Sequence, residues 1–197
     1  ACRPFDATRD GTVLGEGAAA VVLETADHAL RRGAPILAEV LGYGFTEDGF
    51  HVTAPDPSGE GAARAMALAL SDAGITPADI DYIVPHGTGT PLNDVSETRA
   101  IHQVFGERAR RIPASSNKSA IGHTLGAAGA VSTVVGVQAV LEGIVPATLN
   151  LHNPDPECDL DYVPNQPRRL RVDTVLVNAF GFGGQNACLV LKGCQGG

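Results

Sequence analysis

Tryptophan is absent, methionine occurs once, and aromatic residues make up only 5% of the 197 positions. Set against 24 glycines, this composition favours tight turns and close backbone packing over large aromatic pockets. Cysteine is sparse too: Cys2, Cys158, Cys188 and Cys194 are irregularly spaced and form no C-x-x-C pair. That excludes the usual zinc and redox motifs, and a reducing, cytoplasmic compartment is expected. Basic residues are outnumbered 14 to 22, for a formal net charge of −8. No basic face interleaved with aromatics is visible, so nucleic-acid binding is disfavoured. Two short clusters, Arg108, Arg110, Arg111 and Arg168, Arg169, Arg171, read as solvated surface or as a contact for an acidic protein. The opening Ala-Cys-Arg-Pro-Phe-Asp has no initiator methionine and no targeting character, so no signal peptide is expected in it and it is expected to start in the middle of something larger.

Charge is missing altogether from Leu125 to Leu141. Gly126, Gly129, Ser132, Thr133, Gly136 and Gln138 interrupt that run and make it a poor membrane span. It reads instead as a core helix over 123–142, apolar or small on all sides and therefore buried all round. Just upstream, Asn117–Gly129 holds Lys118 and His123 among small residues. An ionisable pair at the mouth of a buried helix is costly unless it serves a purpose.

In chain order, the apolar run Ala18–Glu24 predicts a buried strand, and Thr25 caps a helix to about Arg32. A second strand is expected over 36–45 and a loop over 46–58. The spacing of Ala62, Met66, Ala69, Leu70 and Ala73 predicts a helix over 59–73 that Gly74 ends. Thr76-Pro77 opens a short helical turn, and Asp81–Pro85 is a strand leading to His86. Asn93 or Asp94 is expected to cap a helix through Phe105. Ile112–Ser116 reads as a strand leading to Lys118. A long ordered loop follows over 146–171, then strands at 174–179 and 187–192 around a glycine turn. Strands alternating with helices imply one α/β unit with a mostly parallel or mixed sheet covered by helices.

Three loops then follow strand ends: His86–Thr90, Asn117–His123 and Phe180–Asn186. Ligands gather at such ends in α/β sheets. A metal site is not expected, because two histidines without cysteine or carboxylate partners make no ligand set. The glycine runs match neither a phosphate loop nor a dinucleotide fingerprint. Two imidazoles beside a lysine suit a carbonyl instead. A nearby cation holds an imidazole neutral, and two ring N–H groups aimed at one oxygen stabilise an enolate. Thr88 and Thr90 add hydroxyls suited to an amide-bearing arm.

His86-Gly-Thr-Gly-Thr90, Lys118 with His123 five residues on, and Gly181-Phe-Gly-Gly184 resemble signatures of the β-ketoacyl-acyl carrier protein synthases. So do Arg3-Pro-Phe-Asp6, Gly15-Glu-Gly-Ala18, Pro91-Leu-Asn-Asp94 and Asn153–Asp161. The resemblance runs the length of the chain and implies one half of a thiolase-like fold, residues 1–197 being the C-terminal half. It implies decarboxylative condensation of malonyl-carrier protein with an acyl-enzyme thioester. His86 and His123 would hold the thioester carbonyl, Lys118 would tune His123, and Thr88 and Thr90 would contact the phosphopantetheine arm. Phe182 would complete an oxyanion hole and gate the acyl pocket, with Phe180, Gly181 and Gly183 beside the substrate. No bound cofactor is implied beyond the carrier's own phosphopantetheine.

Partners implied by the resemblance are acyl carrier protein, the N-terminal half, and a second ketosynthase subunit, identical or not. The family's nucleophilic cysteine belongs to that N-terminal half, so the isolated chain is expected to condense nothing and to expose apolar surface. Thr12 departs from the usual aromatic and Gln185 is a tolerated change. Ser132 departs from a common glutamate, which leaves the acidic partner of Lys118 unassigned. A silent subunit like a chain-length factor is the alternative. A thiolase is disfavoured, since its glycine turn would carry a cysteine.

Overall fold

The computed structural model describes residues 1–194. Its elements are α1 (Ala26–Arg31), β1 (Ala38–Glu47), α2 (Glu60–Asp72), β2 (Tyr82–Val84), α3 (Pro91–Phe105), α4 (Lys118–Ile121), α5 (Ala128–Glu142), β3 (Ile144–Val145), β4 (Arg168–Arg169), β5 (Thr174–Gly181) and β6 (Gln185–Gly193). The main sheet has strand order β1-β6-β5-β2, and β3 pairs with β4 in a small separate ladder.

The sheet is mixed, with less parallel pairing than the alternation of strands and helices suggests. Only β2 and β5 run parallel; β1–β6 and β5–β6 are antiparallel. The cause is the glycine turn, where Gly183 (φ +85°) and Gly184 (φ +78°) fold β6 straight back on β5 as a hairpin. One face of the sheet is covered by α2 and α3 around Met66, Ile83, Ile101 and Leu176. The other carries α5 over Val175, Val177 and Leu191.

Glycine sets how closely α2 lies on β1. A Cβ at Gly44 would sit 2.0 Å from the Ala65 carbonyl oxygen, and one at Gly42 would sit 2.3 Å from that of Ala69. Small residues on both sides let backbones meet, which is why this helix is rich in alanine. On the far face Gly136 does the same for α5, whose added Cβ would lie 3.2 Å from Leu191.

Four expectations need correction. Ala18–Glu24 is no strand: it has no ladder partner among the described residues, and Val22 and Leu23 are 85% and 74% exposed. Ile112–Ser116 makes a single parallel bridge, Ala114 to Ile83, because Pro113 has no N–H to extend a ladder. The helix ending at Phe105 is capped three residues early, by Thr90, whose hydroxyl accepts the Asn93 N–H at 3.3 Å. The helix expected over 123–142 begins at Ala128 after a tight turn, and its burial is one-sided. Ala128, Ser132, Gly136 and Ala139 are buried, while Leu125, Val134 and Leu141 face outward. With Val13, Leu14 and Val21–Leu23 these leave much apolar surface uncovered.

The helix–strand contact gives a direct check. Gly44→Ala should cost about 1–3 kcal/mol through overpacking. Gly126→Ala, whose added Cβ meets nothing within 4 Å, should stay within about 0.5 kcal/mol. Chemical denaturation compares the two, and equal midpoints would contradict this packing.

Candidate active site

Beyond β2 the chain runs through His86–Thr90 with little regular backbone pairing, so side chains take over. Glu97, buried on α3, accepts the His86 and Gly87 N–H groups at 2.8 Å each through its two oxygens. Asn178 on β5 donates to the same carboxylate at 3.0 Å. The Lys118 ammonium donates to the His86 carbonyl at 2.5 Å, and the Ser116 hydroxyl donates to that of Gly87 at 2.6 Å. Asp94 accepts the Gly89 N–H at 3.2 Å. Gly87 has φ +43°, and a Cβ there would lie 2.7 Å from Ser116. Only glycine permits this turn.

His123 is held differently. Its N–H donates to the Val13 carbonyl at 2.7 Å, and its carbonyl accepts the Gly15 N–H at 2.9 Å. A Cβ at Gly15 would lie 2.2 Å from the Ile121 oxygen, so the opening segment lies flush against the α4 turn. The Leu125 N–H donates to Nδ1 of the His123 ring at 3.1 Å. In the neutral ring this leaves the proton on Nε2, making that atom a donor. Leu125 has φ +52°, an uncommon conformation for a non-glycine residue.

The two rings meet with centroids 5.3 Å apart and planes at 80°, and the Phe180 ring lies 5.5 Å from that of His86. Both imidazoles are kept neutral. Burial pushes His86 well below its ordinary value, with Lys118 and then His123 adding to the effect. His123 falls to about 4, again by burial first and Lys118 second. The sequence pointed to the lysine as the cause; desolvation comes first. Lys118, 2% exposed, is itself lowered to about 8 by burial against the upward pull of Glu97 and Asp94. These two acids supply the partnership that Ser132 left unassigned.

A cavity of about 240 Å³ opens over the rings, lined among others by His86, Lys118, His123, Phe180 and Gly181. Five of the nine residues singled out from the sequence therefore converge. Thr88, Thr90, Phe182 and Gly183 lie outside this lining. Phe182 is 76% exposed on the hairpin turn, where the Gly183 N–H donates to Val52 at 2.7 Å. The Thr88 and Thr90 hydroxyls are 2.9 Å apart on the far side of the His86 loop. Sequence reasoning missed Glu97, Asn178 and Leu125. Asp94 and Glu97, spaced i, i+3 beside buried Ala100 and Ile101, carried a signal: acids on the inward stripe of a helix. Leu125 carried none.

The family model for the β-ketoacyl synthase C-terminal domain matches residues 37–152, and that for the N-terminal domain matches residues 1–29. The chain is 54% identical over 195 residues to a 3-oxoacyl-[acyl-carrier-protein] synthase 2 from Synechocystis, covering 99% of this chain and 47% of the relative. A Coxiella burnetii protein of the same name is 53% identical, with coverage of 98% and 46%. The chain spans about half the length of the curated relatives it matches. Among solved structures, a type II polyketide ketosynthase in complex with its acyl-carrier protein superposes with a TM-score of 0.97 at 40% identity, over 99% of this chain and 48% of that one. A β-ketoacyl synthase from Burkholderia phymatum gives 0.93 at 45% identity, over 98% and 46%. Its fold is accordingly that of the thiolase-like ketosynthases. The C-terminal-domain match runs through both histidine loops, and the chain belongs to the β-ketoacyl synthase family.

Proposed function

We propose that this chain supplies the decarboxylation machinery of a 3-oxoacyl-[acyl-carrier-protein] synthase serving fatty-acid or type II polyketide elongation. The observation that carries the reading is the pair of uncharged rings 5.3 Å apart over one cavity, with His123 fixed as an Nε2–H donor. A malonyl thioester enters on the carrier's phosphopantetheine arm, and both rings donate to its carbonyl oxygen. The carbon–carboxylate bond breaks, CO₂ leaves, and its electron pair becomes the enolate that the two N–H groups stabilise. The enolate carbon attacks an acyl thioester on a cysteine of the N-terminal half. The thiolate departs, and a 3-ketoacyl thioester two carbons longer remains on the carrier. Lys118 holds the His86 carbonyl and keeps the rings neutral. Thr88 and Thr90 receive the arm. Phe182 gates the acyl pocket and lends its N–H to the second oxyanion, with Phe180, Gly181 and Gly183 beside it.

The nucleophile comes from outside this chain. Cys2, Cys158 and Cys188 are buried, none of the four cysteines lines the cavity, and burial raises Cys158 to about 12 and Cys188 well above its ordinary value. The working assembly contains the N-terminal half, a second ketosynthase subunit and acyl carrier protein, in the cytoplasm. The exposed apolar surface along 13–23 and α5 supports such a stacked partner.

Three outcomes are expected. In the assembled synthase, His86→Ala and His123→Ala each slow malonyl-carrier decarboxylation by about 10²–10³-fold; no loss in either would favour a silent subunit of the chain-length-factor kind. Incubated alone with acyl-carrier protein, the 197-residue chain shows no acyl adduct by intact mass spectrometry, and a stable thioester on any of its cysteines contradicts the assignment. Lys118 gives the third. Its folded pKa of about 8 lies below the unfolded value of ~10.4, so between these the unfolded state binds the extra proton and stability rises with pH. Activity falls over the same window as the ammonium is lost. A pH series of melting temperature and decarboxylation rate should therefore slope in opposite directions above pH 8, and Lys118→Met should flatten the alkaline limb of both.

A further inference from the structure

We propose that Arg9 is a positioning residue for the Thr88–Thr90 pair, holding the far end of the His86 loop so that its hydroxyls meet the amides of a pantetheine arm. The inference rests on the reading that this pair receives that arm. The loop is gripped at two ends by different groups. Its near end, His86 and Gly87, belongs to Glu97, Ser116 and Lys118. Its far end belongs to Arg9, a buried guanidinium. Arg9 Nε donates to the Thr90 carbonyl at 3.2 Å, and a terminal nitrogen donates to that of Pro91 at 3.2 Å. It also acts at second hand: Nε lies 3.7 Å from Asp94 Oδ2, and the other oxygen of that carboxylate accepts the Gly89 N–H.

The guanidinium is rigidly seated. Its remaining nitrogen donates to the Asp6 carbonyl at 2.9 Å and to Asp155 at 2.5 Å. Asp6 in turn accepts the His152 and Asn153 N–H groups at 2.8 and 2.7 Å. Five contacts thus tie the opening segment, the 152–155 loop and the start of α3 to one planar cation. A planar fork spaces its donors rigidly toward two neighbouring carbonyls, a geometry that the single nitrogen of an ammonium on a flexible stem does not fix. Thr90 also caps α3, so a shift of its carbonyl moves its hydroxyl and, through the 2.9 Å contact, that of Thr88. The histidine end stays pinned by its own partners. The effect therefore falls on binding of the arm rather than on decarboxylation.

The test compares two malonyl thioesters on the assembled synthase. One is malonyl-pantetheine, with both amides; the other is a malonyl thioester of a simple alkanethiol, with none. Arg9→Met should raise KM for malonyl-pantetheine about tenfold while leaving KM for the alkyl thioester unchanged. Arg9→Lys, which keeps the charge beside Asp94 and Asp155, should fold as the parent does and show a smaller rise of the same kind; it carries the test should Arg9→Met fail to fold. An equal rise for both thioesters, or a fall in kcat with KM unchanged, would assign Arg9 to general stability and overturn the proposal. Calorimetric titration with pantetheine separates the two readings. Absence of decarboxylation in the parent enzyme overturns the proposed function, whereas pantetheine affinity unaltered in the arginine variants overturns the role of Arg9.

Discussion

Glu97 and Lys118 are two opposite charges withdrawn from water so that a stretch of backbone without ladder partners can be held still. The carboxylate takes two consecutive N–H groups and the ammonium takes the intervening carbonyl. Neither ion is cheap to bury. Together they replace the ladder that β2 gives up when it ends at Val84. The carboxylate has a further partner in Asn178, whose amide oxygen accepts from the Cys188 thiol at 3.3 Å. The position of His86 thus depends on two buried charges, one on α3 and one on α4, with Asn178 of β5 behind the carboxylate.

The histidines show how one environment serves two needs. Burial keeps both rings from taking a second proton and Lys118 reinforces it, so each can offer one N–H without carrying charge. For the proposed decarboxylation, neutral rings suit an oxygen that becomes negative only in passing, since charged rings would hold the ground state as well as the transition state. The proton on His123 is directed by one backbone N–H, that of Leu125, and the uncommon φ at that residue is the cost of aiming it.

Much of this was readable in the chain itself. His86, Lys118 and His123 stand out because polar residues in loops after apolar strands have few structural reasons to be there. The α2 stripe and its terminal glycine followed from helical spacing, and the helix formed one residue from its expected start. What misled was context. Ala18–Glu24 has the composition of a buried strand and lies exposed, because composition reports what a segment needs covered rather than what covers it here. The helix after His123 looks buried on every side for the same reason: its small residues face the sheet and its larger ones face away. The strand, glycine turn and strand at the end of the chain were legible and form the antiparallel hairpin; the alternation of helices and strands upstream describes order along the chain and overstated how much of the sheet is parallel. Thr88 and Thr90 were legible as a pair, but Arg9 was not; a guanidinium that grips carbonyls leaves no trace in sequence spacing.

The pairing of His123 with Val13 and Gly15 joins positions separated by more than half the chain. During synthesis the opening segment must wait without its partner until the second imidazole has emerged from the ribosome, and closing so long a loop is slow. The cavity rim on the His123 side is consequently completed only after more than a hundred further residues have been made, later than the local helices α1 and α2 that lie between.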